Sequence, residues 1–127
     1  MKNPYGAYKK TAVDTASKEQ LLIMLYEGAI KFLKQAIGAM EEKKFEEKGK
    51  LIIRAEEIIN ELMCVLDHDR GGNLSKDLEA LYVFMLKTCS EANLENSVEK
   101  VKSVIKLLTT LLDGWKVAVN EVRKGIK

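Results

Sequence analysis

Proline is almost missing from this chain, which has one in 127 residues, and no stretch shows the alternating apolar and polar residues of a β-strand. Because proline interrupts helices most strongly, its scarcity makes helix the expected structure after residue 16. The chain is 46% apolar and 31% charged, a composition typical of folded proteins. Its length predicts one domain with a core of its own.

Signals for membranes and nucleic acids are absent from the sequence as well. No apolar run approaches the roughly 20 residues that a membrane span needs, and the N-terminus lacks the apolar core of a signal peptide. The net charge is +2, and the positive residues are spread along the chain without forming a basic stripe between aromatic residues. We therefore expect a cytoplasmic protein that binds neither a membrane nor nucleic acid.

Motifs for catalysis and metal binding are also missing. His68 is the single histidine, and the aspartates beside it seldom converge on the same ion as an adjacent residue, so a polar loop is expected there. The sequence has no phosphate-binding glycine loop, no Cys-x-x-Cys pair and no second histidine at a metal-binding spacing. We expect no catalytic residue, no metal site, no cofactor and no enzymatic activity.

The two cysteines do not look like a disulfide. On helical wheels Cys64 falls on the polar side of its helix and Cys89 on the core side, an arrangement that disfavours a bridge. Two free thiols fit a reducing compartment.

Apolar residues that recur every three or four positions predict four helices. The first begins after a capping box of Ser17 and Gln20 and runs from about Lys18 to Met40. The second covers about Phe45 to Leu66, the third about Ser75 to Ala92, and the fourth opens at Asn96 and Glu99, interpreted as a capping pair. The helical pattern is interrupted near the paired glycines 71 and 72. The prediction is an all-α fold: an antiparallel up-down four-helix bundle over residues 17–127, preceded by an extended or short helical arm over residues 1–16.

Several helices carry more apolar surface than one neighbour would cover. The rows on the first helix form an arc of roughly 200°, whereas one core-facing stripe needs about 100°. Either this helix is packed on two sides, or part of the arc is left open for a partner. On the third helix, Phe84 lies about 120° from the core row, so it either meets a second neighbour or forms an exposed docking surface.

Two tyrosines, Tyr5 and Tyr8, stand in an otherwise polar N-terminal segment. The arm either rests loosely on the bundle or covers an apolar groove that it can leave. Both interpretations stay open from the sequence.

Three segments near the N-terminus form a recognisable set: Asn3-Pro4-Tyr5-x-x-Tyr8, Val13-x-Thr15-Ala16-Ser17-x-x-Gln20-Leu21 and Met24-Leu25-Tyr26-Glu27-Gly28-Ala29. Together they resemble the flagellin export chaperone family, FliS. Later segments are similar to the same family: Ala55 with Ile58-Ile59-x-x-Leu62, Gly71-Gly72 with Leu78-x-x-Leu81-Tyr82, and Leu112 with Trp115. Lys18 and Glu27 depart from the residues often found there, proline and aspartate, without changing the helix start or the charge.

The resemblance implies a cytoplasmic helical bundle that binds the disordered C-terminal region of newly made flagellin along apolar surfaces. Binding would prevent premature polymerisation and keep flagellin competent for flagellar type III secretion, without nucleotide. Components of the export apparatus are further candidate partners. The residues expected to contact partners are Tyr5, Tyr8, Leu22, Ile23, Tyr26, Ile30, Tyr82, Phe84, Leu107 and Leu111. The alternative is a self-associating bundle whose surplus apolar surface forms a homodimer interface.

Overall fold

Four helices connected by short turns form the computed structural model, which describes residues 17–125, with side chains described through residue 121. The helices are α1 (Lys18–Glu41), α2 (Phe45–Cys64), α3 (His68–Glu95) and α4 (Val98–Gly125). Each packs against the next, and α4 returns to α1, so they close an antiparallel ring around one core. The predicted four-helix bundle is confirmed. The arm over residues 1–16 lies outside the described residues.

The start of α1 is fixed by the predicted capping box. The amide of Gln20 donates to the Ser17 hydroxyl at 3.2 Å, and the Ser17 amide donates to Gln20 Oε1 at 3.2 Å. Two amides that have no partner within the helix are thereby satisfied. Glu19 in the first turn places a negative charge near the positive end of the helix dipole.

The break before the main part of α3 is narrower than predicted. Helix begins at His68, because the Asp67 side chain accepts from the amides of Asp69 and Arg70 at 3.1 Å each. One helical turn later, Gly72 adopts φ 52° and ψ −125°, a conformation that glycine tolerates because it lacks Cβ. The predicted interruption at the paired glycines is therefore present, but a helical turn precedes it.

The predicted capping pair at the start of α4 is wrong. Asn96 ends α3 in the left-handed conformation, with φ 55°. The cap of α4 is Ser97, whose hydroxyl accepts from the Lys100 amide at 3.2 Å. Asparagine suits both a helix start and a left-handed helix end, so its identity alone did not distinguish the two positions.

The end of the bundle where α1 turns into α2 is tightly packed. Met40, Ile52, Cys89 and Val101 are buried there. Lys48 is buried as well: its ammonium donates to the Asn93 carbonyl at 2.8 Å and lies 5.7 Å from the centre of the Phe45 ring. A cation near the last carbonyls of a helix is stabilising, so Lys48 joins the start of α2 to the end of α3. We call this the closed end.

The opposite end is much less tightly packed. It is formed by the start of α1, the end of α2, the start of α3 and the end of α4. Val65 is 48% exposed there, Leu74 58% and Val117 63%, and the side chains of residues 21–24 are only half-buried. We call this the open end.

Candidate partner-binding surface

Two pockets lie on either side of α1 at the open end. One has a volume of about 490 Å³ and is lined by Lys18, Glu19, Leu21, Leu22 and Leu25, with Val65 following α2. The other, of about 410 Å³, lies between Ile23 and residues 116, 117, 119 and 120 of α4. The first three apolar residues of α1 therefore divide between two partly open grooves.

Packing on two sides accounts for most of the wide apolar arc of α1, and a partner on the remaining part stays a prediction. Along most of its length the helix packs against α2 and α4, which bury Leu25, Ala29, Leu33 and Ala36. Near its start the neighbours do not close over it, and Leu22 and Ile23 stay half-buried. Phe32 and Ile37 farther along α1 are half-buried too, so the partly exposed apolar residues are concentrated at the open end, where residues 21–24 follow one another.

The outer face of α3 exposes a second apolar patch. Phe84 is 52% exposed, and Ala80 and Val83 beside it are exposed as well. No second neighbour covers Phe84 within the described part of the chain, so of the two interpretations its exposure fits the docking surface. The role in binding stays a prediction.

Three of the residues expected to contact partners are buried in the core of this structure. Tyr26, Ile30 and Tyr82 have at most 9% of their surface exposed, which leaves them no free face in this conformation. The Tyr26 and Tyr82 hydroxyls form a hydrogen bond across the centre of the bundle, between the diagonally opposed helices α1 and α3. Their rings lie 6.4 Å apart at an interplanar angle of 52°. Helical spacing correctly placed these residues on apolar rows. It did not show that Tyr26 and Tyr82 would meet across the bundle and be buried.

The centre of the bundle disfavours ionisation of these phenols. Burial raises the pKa of Tyr26, and its contacts with Tyr82 and Trp115 offset part of this rise. Burial and the hydrogen bond that Tyr82 shares with Tyr26 both raise the pKa of Tyr82. The Trp115 indole lies close enough to affect Tyr26, yet its buried N–H makes no hydrogen bond of ordinary geometry within the described residues.

The remaining expected contact residues differ in accessibility. Leu107 and Leu111 on α4 are half-buried against the core and keep a partly open face. Tyr5 and Tyr8 lie outside the described residues. The structure therefore brings Leu22 and Ile23 to the open end and places Phe84 on a separate face of α3.

Several open-end residues were missed from the sequence. Helical spacing places Val65 and Leu74 on the apolar rows of their helices, yet both are about half exposed or more. They lie at the open end, on either side of residues 67–72. Val117 belongs to no core row, and only its position next to Ile23 in the folded chain reveals it.

The surface that surrounds these patches carries exposed ion pairs. Lys116 lies 3.6 Å from Glu27 across the α1–α4 groove, with about half of each side chain exposed. Within residues 17–121 no three potential metal-binding side chains come together. Among the helices described, none is both long and apolar enough to cross a membrane.

Comparison with known proteins agrees with the fold and with the resemblance seen in the sequence. The family model described as "Flagellar protein FliS" matches residues 1–122. The flagellar secretion chaperone FliS of Bacillus subtilis is 36% identical over 124 residues, which cover 98% of this chain and 92% of that protein. FliSB of Pseudomonas aeruginosa is 39% identical over 103 residues, covering 81% and 82% of the two chains.

A solved structure described as a flagellar chaperone from bacteria has the same fold, with a TM-score of 0.78. It covers 91% of this chain and 96% of its own, at 20% sequence identity, so this likeness bears on the fold alone. The family match over nearly the whole length, together with relatives above 30% identity, identifies the chain: it belongs to the FliS family of flagellar proteins.

Proposed function

We propose that this protein is a flagellar secretion chaperone that binds the disordered C-terminal region of newly made flagellin. The observation that carries the proposal is the open end, where apolar side chains of all four helices remain partly exposed in a chain of the FliS family. Its curated relatives, from Bacillus subtilis to Salmonella typhimurium, are named flagellar secretion chaperones.

The physical basis is complementary apolar surface. A segment that cannot bury its own apolar residues stays disordered alone and folds when a partner supplies the missing surface. Ordering such a segment opposes binding by about 2–5 kcal/mol or more, so a sizeable apolar contact is required. The two grooves beside α1 and the patch around Phe84 are separate surfaces, which suits a segment that wraps around the bundle in pieces.

Each accessible candidate residue then has a defined place. Leu22 and Ile23 would contact the bound segment in the two grooves at the open end, and Phe84 would contact it on the outer face of α3. Leu107 and Leu111 would add the partly open face of α4. Tyr26, Ile30 and Tyr82 would support these contacts from the core.

The finer functional consequences belong to the same proposal. Binding the C-terminal region would prevent flagellin from polymerising in the cytoplasm and keep it competent for type III secretion. Components of the export apparatus would receive the complex. We expect the interaction to require neither metal nor nucleotide.

The experiment is a titration of the full chain with a flagellin C-terminal peptide, followed by size-exclusion chromatography with light scattering. The expected result is a one-to-one complex, whatever the oligomeric state of the free protein. A flagellin fragment that lacks the C-terminal region serves as the control and should not bind. If the protein instead remains a dimer at every peptide concentration, the alternative of a dedicated homodimer replaces the proposal.

A further inference from the structure

The C-terminal part of α4 is held by far fewer buried contacts than the rest of that helix. Val101, Val104, Leu108 and Leu112 are buried in turn along its core face. After Leu112 no described side chain is buried: residues 113–121 are exposed, except for two that are half-buried. Segments with few buried apolar contacts open with lower free energy than the core does.

Gly114 stands where the buried part of α4 ends. It is exposed, and a Cβ placed on it would meet no atom within 4 Å, so no close packing requires a glycine there. Glycine weakens a helix interior relative to alanine, because it loses more backbone freedom on folding. The weakest residue for helix formation therefore coincides with the last layer of the core.

The residues that follow Gly114 pack only loosely against α1. A pocket of about 410 Å³ separates Ile23 from Val117 and Val119. The ion pair of Lys116 with Glu27 is half exposed at 3.6 Å, and such pairs contribute little. Trp115 is the largest side chain on this segment, and among the residues that the structure describes its buried N–H has no hydrogen bond of ordinary geometry.

We propose that residues 114–121 form a strap that opens away from α1 about a hinge at Gly114. The strap lies over Ile23 and beside Tyr26, so its opening uncovers apolar surface of α1 that the closed bundle half buries. This inference rests on the proposed function for one further step: the uncovered groove admits a segment of flagellin. A main-chain carbonyl of that segment accepts the hydrogen bond from the Trp115 indole.

The strap makes partner binding depend on the fraction of molecules that are open. When only the open form binds, the observed dissociation constant is the intrinsic one divided by that fraction. A substitution that closes the strap must therefore weaken binding by the same factor by which it reduces opening.

The test compares Gly114→Ala with Gly38→Ala in the full-length protein. Gly38 is a matched control, because it also lies inside a helix with no atom within 4 Å of its Cβ position, but near the closed end. Gly114→Ala should slow amide exchange of residues 115–121 by about fivefold, the factor expected from the difference in helix propensity. In Gly38→Ala, the ratio of the exchange rates of residues 115–121 to those of residues 101–112 should stay as in the wild type.

Two further readouts follow the strap itself and its coupling to binding. Trp115 is the single tryptophan, so acrylamide quenching of its fluorescence should decrease in Gly114→Ala and stay constant in Gly38→Ala. The affinity for a flagellin C-terminal peptide should fall about fivefold in Gly114→Ala alone.

Three results would overturn the proposal, two at the hinge and one at its coupling to binding. The hinge is excluded if residues 115–121 of the wild type exchange at the same rate as residues 101–112. It is also excluded if protection falls gradually toward the helix end without a step at Gly114, because that is ordinary fraying. If Gly114→Ala slows exchange but binds the peptide as Gly38→Ala does, the strap does not control binding. Failure of the wild type to bind the peptide would refute the proposed function, while the exchange comparison would still test the hinge.

Discussion

The hydroxyls of Tyr26 and Tyr82 place a polar pair in the middle of an apolar core. Each satisfies the other, and both side chains are almost completely buried. Removing one hydroxyl leaves its partner unsatisfied, which costs about 1–3 kcal/mol, whereas removing both can be nearly neutral. The pair therefore adds little to the total stability, but the loss of either hydroxyl alone is costly.

The raised pKa values of these phenols predict a loss of stability at alkaline pH. The ordinary value is 10.0, and both folded-state values lie above it. Below pH 10 both phenols stay protonated in the folded and the unfolded chain. Above pH 10 the unfolded chain releases protons that the folded chain retains, so each phenol reduces the free energy of unfolding, by at most about 1.4 kcal/mol per pH unit.

Urea denaturation at pH 8, 10 and 11 measures this effect when the wild type is compared with Tyr26→Phe/Tyr82→Phe. The double variant should lose less stability between pH 10 and pH 11. Cys89, whose pKa burial raises to about 12, contributes equally to both proteins and cancels in the comparison. Parallel pH profiles for the two proteins would contradict the assignment.

Phe84 tests whether an exposed aromatic residue serves binding rather than folding. Phe84→Ala should change the free energy of unfolding by less than about 1 kcal/mol, since the ring is half exposed, but should weaken the complex with the flagellin C-terminal peptide. Thermal melts and calorimetric titration measure the two effects.

Two other substitutions calibrate the Phe84 result. Ile53 is also 52% exposed but is not a candidate contact residue, so Ile53→Ala should leave both stability and binding nearly unchanged. Met85 is fully buried, and Met85→Ala should cost about 2–5 kcal/mol. A loss of that size in Phe84→Ala would show that Phe84 is a core residue.

At the scale of elements, sequence periodicity was sufficient to find the helices. Four apolar rows with three- and four-residue spacing predicted four helices, and the capping box at Ser17 fixed one boundary correctly. Helix boundaries were less certain where the residue is favoured at both kinds of helix end. Asn96, for example, suits a helix start and a left-handed helix end equally well. The turn of helix before Gly72 carries no apolar row, so periodicity could not reveal it.

The kink within α3 gives a direct prediction. Gly72→Ala should destabilise the protein by about 1–3 kcal/mol, because its φ of 52° and ψ of −125° lie in a region that residues with Cβ rarely adopt. Steric contact is not the cause, since no atom lies within 4 Å of the Cβ position. Urea denaturation measures the change.

Gly38→Ala is the control for this substitution. Gly38 lies in regular helix with free space around it, so alanine there should stabilise the protein by about 0.5–1 kcal/mol. If both substitutions stabilise the protein, the kink at Gly72 is not a conformational requirement.

At the scale of the whole molecule, the apolar rows of the sequence did not predict that one end of the bundle is tightly packed and the other open. Val65, Leu74 and Val117 are exposed in the assembled bundle, and helical wheels contain no information on how far along the bundle a residue lies. The sequence did predict that α1 carries more apolar surface than one neighbour covers. Only the assembled bundle shows which end of α1 keeps the excess.

Apolar contact at the open end predicts the thermodynamics of partner binding. Titration calorimetry with a flagellin C-terminal peptide at several temperatures should give a negative heat-capacity change, the signature of burying apolar surface. Binding should be the same with and without a chelator and without added nucleotide. Loss of binding on chelation, or a requirement for nucleotide, would contradict a surface that works by apolar burial alone.

The N-terminal arm yields the last prediction, that residues 1–16 cover an apolar groove which flagellin must then occupy. The arm carries Tyr5 and Tyr8, and it joins the bundle next to the pocket lined by Lys18, Leu21 and Leu22. A cover there would shield apolar surface while flagellin is absent and would reduce the observed affinity by the fraction of time the groove is covered.

Hydrogen exchange of residues 1–16, measured with and without the flagellin peptide, tests this cover. We expect partial protection in the free protein and faster exchange, or a changed pattern, in the complex. Tyr5→Ala/Tyr8→Ala should remove the protection in the free protein and promote self-association by exposing the groove, and light scattering measures that association. Because the tyrosines would also be free to contact flagellin after moving, affinity alone is a poor measure of the cover, and exchange is the decisive one. If the arm of the free wild type already exchanges at the unprotected rate, it covers nothing, and the grooves at the open end are accessible to flagellin without displacement of the arm.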